Sequence, residues 1–199
     1  MRREDWDRKY AAVDNLWASK PNRFLVAEVE GLPPGRALDL ACGEGQNAVW
    51  LATRGWTVTG VDYSEVAIAK ARERAERDGV EVDFVQGDLV EYVPEPGAYD
   101  LVTLLYLHIP SSERKGVHAR ASAALAPGGT LVLVGHDLAN ATEGVGGPSD
   151  RDLLYTAAGI ASELPGLEIE KASTVLRDVT GEERDAIDTL VRARRPAAI

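Results

Sequence analysis

The chain has 199 residues, 45% of them apolar, enough for one compact domain that hides about 70% of its unfolded surface without a disulfide or metal staple. A formal charge of −10, with Lys and Arg scattered among acids rather than gathered in a stripe, argues against nucleic acid as a partner. The single cysteine, Cys42, excludes an internal disulfide framework, and the lack of a signal-peptide core or a membrane-length apolar run predicts a cytoplasmic protein without a membrane partner.

At the start of the chain, Trp6, Tyr10, Val13 and Trp17 recur at helical spacing and predict one helix with an aromatic stripe, packed on the domain or lying over a pocket as a lid. A second helix is expected from Pro21 to about Gly31. From residue 35 short β-rich runs alternate with helical patterns. Strands are expected at 36–41, 57–62, 82–88, 100–107 and 130–136, and helices at about 45–54, 64–78 and 111–126. Ser64 and Gly79 suit the two caps of the middle helix. "LVTLLYL" lacks polar alternation, as a strand buried on both faces would, and should lie beside the first strand. The Gly- and Thr-rich run 139–150 predicts a mobile loop. Finally, 167–179 and 186–195 alternate and predict an antiparallel pair at the sheet edge. The fold class expected is α/β: a single domain with an N-terminal helical cap (1–34) and a doubly wound, Rossmann-like core (35–199). Its seven-stranded, mostly parallel sheet ends in an antiparallel C-terminal strand pair.

"GEGQNA", 43–48, fits the Gly-x-Gly-x-x-Gly/Ala pattern between a strand and a helix, where missing Cβ atoms let backbone approach a ligand beside unpaired helix N–H groups. Asp62, 17 residues after Gly45 at a strand end, is placed to accept from ribose hydroxyls. Asp39 is an acid inside the first strand, where burial of a carboxylate requires compensating partners.

Taken in order, "LDLACGEG", "VTGVDYS" and "VQGDL" resemble the motif series of class I methyltransferases that use S-adenosylmethionine, and the antiparallel finish resembles their last strand. The resemblance implies that S-adenosylmethionine is the cofactor. It implies that Asp39 helps hold the cofactor's amino acid end and the glycine turn, where turn amides or an ammonium group would compensate its burial, that Gly43 and Gly45 line the cofactor, and that Asp62 binds the ribose. Tyr63 would lie against adenine, Asp88 would accept from the adenine amine, and the Leu89 amide would lie nearby. The family often has glycine where Ala41 stands; alanine is small, but its Cβ disfavours positive φ. More loosely, "DWDRKYAAVDNLWASKPNRFL" is similar to the opening of small-molecule enzymes of the tellurite-resistance and thiol-methylating type.

Ligands of open α/β sheets bind beyond the carboxyl ends of the strands, where strand order reverses. "YLHIP" and "GHD" bring Tyr106, His108 and His136 to that edge. His108, following the central strand, is the expected proton acceptor for a thiol or hydroxyl, with Tyr106 and His136 shaping the acceptor site. The small-molecule methyl acceptor is thus the expected partner. Cys42 reads as packing, His118 as surface or packing, and no metal is expected because the histidines lack a compact ligand spacing. The Asn/Asp-Pro-Pro-aromatic motif of amino-group methylases is missing after the fourth strand. An NAD-dependent oxidoreductase and a non-catalytic cofactor-binding module are the competing readings.

Overall fold

The computed structural model describes residues 2–17 and 19–197. Seven strands form one sheet, β1 (Arg36–Leu40), β2 (Thr57–Asp62), β3 (Asp83–Gln86), β4 (Tyr99–Leu105), β5 (Leu125–His136), β6 (Glu168–Arg177) and β7 (Ala186–Arg194), in the order β3-β2-β1-β4-β5-β7-β6. β1 to β5 are parallel, and β7 runs antiparallel to both β5 and β6. The helices are α1 (Arg3–Ala11), α2 (Arg23–Val29), α3 (Gln46–Thr53), α4 (Glu65–Asp78), α5 (Ser111–Ala124), α6 (Asn140–Glu143) and α7 (Ala157–Ser162).

Strand burial follows from this order. β4 lies between β1 and β5, and Leu101, Val102, Thr103 and Leu104 are all buried, as a strand covered on both faces must be. One core layer sets Val117, Ala121 and Ala124 of α5 with Ile160 of α7 against one face. The other sets Leu25 of α2, Ala48 and Leu51 of α3 and Ile68 of α4 against the opposite face. α4 begins and ends at its expected caps: the Ser64 hydroxyl accepts from the Ala67 amide at 3.2 Å, and Gly79 takes φ +68°.

Four expectations are corrected. The aromatic stripe is not one helix, because α1 stops at Ala11, leaving Val13 and Trp17 in the following turns. The aromatics still gather, with Trp17 at 6.1 Å and Tyr10 at 5.9 Å from Trp6 between ring centroids. The second helix starts at Arg23, two residues after Pro21, because the Asn22 side chain caps it by accepting from the amides of Phe24 and Leu25. β5 begins at Leu125 rather than at residue 130: Leu125 pairs with Tyr99 before an irregularity carries the strand past Gly128 and Gly129. Lastly, part of 139–150 is helical, and the buried Asn140 side chain ties the segment together by donating to Gly146 O at 2.8 Å and accepting from Ile187 N at 2.7 Å.

Candidate active site

The order β2-β1-β4 places the reversal of winding at β1, so the carboxyl ends of β1, β2 and β4 open on one edge. The chain leaves β1 through Ala41, Cys42, Gly43 and Gly45 into α3. Gly43 and Gly45 take φ +53° and +77°. A side chain at Gly45 would meet the Ala71 Cβ at 2.9 Å and Phe84 at 3.0 Å, so glycine is required by contact as well as by conformation. Against expectation Ala41 also adopts positive φ, +61°. The hydrogen bond from Cys42 N to Val61 O and the packing of Ala41 against the core fix the turn around it.

Asp62 holds this turn. Its Oδ2 accepts from Gly43 N at 3.0 Å and its Oδ1 from Ser64 N at 2.9 Å. Burial raises the Asp62 carboxyl above its usual range, while the Ser64 and Gly43 amides oppose the rise. Asp39, 1% exposed, faces the Ala48 backbone amide at the end of the glycine motif, as the expected turn-amide arrangement requires. Its Oδ1 accepts from the Thr103 hydroxyl of the neighbouring strand at 2.7 Å, and its Oδ2 is buried without a hydrogen-bond partner. Burial, reinforced by the Asp62 charge, pushes Asp39 up to about 7 against the Thr103 bond and the Ala48 amide. Tyr63 lies at the end of β2, half-buried, and is pushed up to about 12 by burial and by Asp62. Asp88 is exposed after β3 and accepts from Val90 N at 2.9 Å, with Leu89 buried beside it.

The N-terminal segment lies directly on the glycine turn. A Cβ placed on Gly43 would be 3.0 Å from the Tyr10 hydroxyl and 3.8 Å from the Trp17 ring. Glu44, 2% exposed, accepts from Leu16 N at 2.9 Å and from Trp17 N at 3.3 Å, and Lys70 of α4 reaches it at 3.3 Å. Lys70 also donates to the carbonyls of Tyr10 and Asp14, and Arg74 to Ser19 O at 3.1 Å and the Asn15 side chain at 3.1 Å. Asp7 accepts from the Ser64 hydroxyl at 2.6 Å. These contacts pack the chain on both sides of α1's end onto the glycine turn and α4.

Tyr106, His108 and His136 do converge. Their ring centroids are 5.1 Å apart for Tyr106 and His136, 6.2 Å for Tyr106 and His108, and 5.3 Å for the two histidines, which stack at 13°. Tyr106 has φ +59°. Burial and the adjacent His136 push His108 down to about 4, so it is neutral at neutral pH and a weaker proton acceptor than its position promised. Its Nε2 is buried without a hydrogen-bond partner.

The sequence reading missed two residues here. Asp188 of β7, fully buried, accepts from the Tyr106 hydroxyl at 2.8 Å and from Arg177 Nε of β6 at 2.7 Å. The Arg177 guanidinium also sits 5.5 Å from the centre of the Tyr106 ring. The signal was weak: Asp188 shares its strand phase with Arg192 and Arg194, so the alternation reads it as one more polar residue.

Cys42 is buried, and burial with the Asp62 and Asp39 charges pushes its thiol well up, which keeps it protonated as a packing group. His118 is not on the surface: it is fully buried in α5, with Nδ1 2.9 Å from Glu163 in an ion-pair cluster that includes Arg114. Among the described residues no group of three or more His, Cys, Asp or Glu side chains could hold a metal ion, and no helix is long and apolar enough to cross a membrane.

Residues 37–129 match the family model for the methyltransferase domain. Over 109 residues the chain is 36% identical to the ribosomal RNA small subunit methyltransferase C of Alcanivorax borkumensis, covering 51% of this chain and 32% of that protein. It is 36% identical over 142 residues to the ubiquinone biosynthesis O-methyltransferase of Marinobacter nauticus, covering 63% and 59% respectively. Across these two curated relatives the chain spans between about a third and three-fifths of their length. A solved structure described as converting a disulfide bond into a thioacetal group during echinomycin biosynthesis superposes with a TM-score of 0.78 at 25% identity, covering 98% of this chain and 92% of that one.

Proposed function

We propose that this chain, whose residues 37–129 match the methyltransferase domain, is a class I S-adenosylmethionine-dependent methyltransferase and that it methylates a small molecule at a thiol, a chalcogen oxyanion or a hydroxyl. The observation that carries this reading is the cluster of Tyr106, His108 and His136 beyond β4 and β5, on the same strand edge as the glycine turn.

The residues at the turn fit the cofactor. Asp39 Oδ2 is a buried acceptor without a partner, suited to an ammonium group. Gly43 presents backbone where a Cβ would obstruct, and Asp62 retains lone pairs for ribose hydroxyls beside the two amides it already accepts. Ala41, Tyr63, Asp88 and Leu89 complete the proposed cofactor-binding set. When bound, S-adenosylmethionine supplies a methyl group on a positively charged sulfur.

The protein's contribution is then orientation and proton removal. Trp6, Tyr10, Trp17 and Tyr106 give the site aromatic walls that favour a neighbouring cation by about 0.5–2 kcal/mol per well-placed ring. The N-terminal segment excludes water from the turn, and positioning of the acceptor supplies most of the acceleration. Two relatives bear on the acceptor class. One is named for O-methylation in ubiquinone biosynthesis and one is described by a conversion at sulfur. The formal charge of −10 supports a small acceptor over a nucleic acid, although one relative is named for ribosomal RNA.

Incubation with methyl-labelled S-adenosylmethionine and a panel of thiols, phenols, selenium and tellurium oxyanions and ribosomal RNA tests the reading. Label is expected in one of the small-molecule classes. Transfer to RNA alone, or no binding of S-adenosylhomocysteine by calorimetry, would overturn it.

A further inference from the structure

Asp188 is the most heavily engaged carboxylate near the acceptor site, and its three partners come from three different strand ends. In the antiparallel ladder between β5 and β7 it stands directly opposite His136, so both side chains lie on the same face of the sheet. Across the ladder between β6 and β7 its partner is Val175, and Arg177, two residues further on, shares that face. The Tyr106 hydroxyl and Arg177 Nε both donate to one oxygen, Oδ2. The other oxygen, Oδ1, lies 3.2 Å from His136 Nδ1. Both of these atoms are fully buried and neither has a hydrogen bond to any other described residue, so their 3.2 Å approach is a close polar contact rather than a well-aligned hydrogen bond. Burial would raise the Asp188 carboxyl, but His136, Arg177 and Tyr106 more than offset it and hold the group below its usual range, so it is ionised.

We propose that Asp188 is a positioning residue that keeps His136 protonated at Nδ1, making His136 Nε2 the proton acceptor for the methyl acceptor. The inference deepens the methyltransferase reading and rests on it. A carboxylate facing Nδ1 can only accept, so the proton of the neutral ring sits on Nδ1 and the lone pair on Nε2. As an acceptor reacts, its S–H or O–H bond breaks and the proton moves to His136 Nε2. The electron pair left on the acceptor forms the new bond to the methyl carbon. The carbon–sulfur bond of the sulfonium donor breaks, and its electron pair stays on that sulfur. The imidazolium so formed faces Asp188 of β7, whose charge Arg177 of β6 partly balances, and Tyr106 and His108 from the segment after β4. The backbone of Gly147 also lies against the ring, where a Cβ would be 2.8 Å from the imidazole. His108, stacked on the same ring, cannot take a second proton beside it without like-charge repulsion.

The geometry makes a sharp prediction for Asp188→Asn. Tyr106 and Arg177 both require an acceptor at the Oδ2 position, so the amide oxygen must stay there and the amide nitrogen must take the place of Oδ1. That NH₂ group donates to His136 Nδ1, which drives the ring proton to Nε2 and removes the lone pair the reaction needs.

Nitrogen-15 spectra of the neutral imidazoles in cofactor-free protein read this directly. The expected His136 ring is protonated at Nδ1 in the native protein and at Nε2 in Asp188→Asn. With methyl-labelled donor and a protonated thiol or phenol, kcat is expected to fall about 10²- to 10⁴-fold in the variant, with little change in S-adenosylhomocysteine affinity. The defect should shrink for an acceptor already ionised at the assay pH. His136→Gln should lose a similar factor, and the double variant no more. A native His136 ring protonated at Nε2, or an Asp188→Asn variant with native kcat and pH profile, would overturn the inference. The native spectrum decides even if the variant fails to fold. Absence of any methyl transfer, by contrast, would remove the methyltransferase reading while leaving the ring assignment to the spectrum.

Discussion

Asp39→Asn separates the cost of keeping an acid inside β1 from the use made of it. The carboxyl is raised from its ordinary 3.8 to about 7, chiefly by burial. A carboxyl raised in this way contributes stability below its unfolded pKa and loses it as pH climbs to the folded one. At about 1.4 kcal/mol per pH unit of gap, folding is opposed by about 1.5 kcal/mol at pH 5 and about 4 kcal/mol at pH 8. Asparagine removes that burden. It also places an NH₂ group where Oδ2 now has no partner, an unsatisfied donor that costs about 1–3 kcal/mol. This second term does not depend on pH, so it cancels when two pH values are compared. The stability of Asp39→Asn relative to native protein, from urea unfolding at pH 5 and pH 8, should therefore rise by about 2.5 kcal/mol between them. An increment that is equal at both pH values, or that falls toward pH 8, would show that Asp39 is not held as a raised, desolvated acid.

Asp62→Ala should weaken S-adenosylhomocysteine by about 1–3 kcal/mol in calorimetry, the worth of a buried hydrogen bond to a charged acceptor; native affinity would remove Asp62 from the cofactor set. Glu44→Ala should speed hydrogen exchange at the Leu16 and Trp17 amides by about 10- to 150-fold, since each loses a charged acceptor worth about 1.5–3 kcal/mol. Unchanged exchange there would mean that Glu44 does not hold the segment down. His108→Ala should leave S-adenosylhomocysteine affinity near native and lower kcat less than His136→Gln does. The reverse order in steady-state kinetics would return the proton-accepting role to His108.

The parallel part of the fold was readable because its signals are local. β2 occupies 57–62 as expected, and α4 lies between its two caps, since strand propensity and capping act within a few residues. The glycine turn was readable for the same reason: its glycines and Asp62 lie within a short stretch of chain. What escaped depended on register. Asp188 meets His136, 52 residues earlier, only because β7 inserts between β5 and β6, and no local pattern in "AIDTLVRARR" says which strand it will face. Arg177 reaches the site by the same pairing. The aromatic stripe misled because periodicity continues past Ala11 while the helix does not, and Trp17 returns to Tyr10 through a turn, donating to its hydroxyl at 3.1 Å. Positive φ at Ala41 is imposed by its tertiary surroundings, which propensity does not contain.

Ala41 and Tyr106 leave adjacent strands with left-handed backbone, φ +61° and +59°. A Cβ in that region costs about 1–2 kcal/mol, so both residues are replaceable by glycine in principle, and what glycine would return differs. At Ala41 the relief is nearly cancelled by the extra freedom glycine gives the unfolded chain, about 0.4–1 kcal/mol. Glycine and alanine at this position are therefore expected to differ by no more than about 1.6 kcal/mol in stability. At Tyr106 the same relief would come with the loss of the hydroxyl that donates to Asp188. The strain there is offset by the bond to Asp188, which glycine could not make.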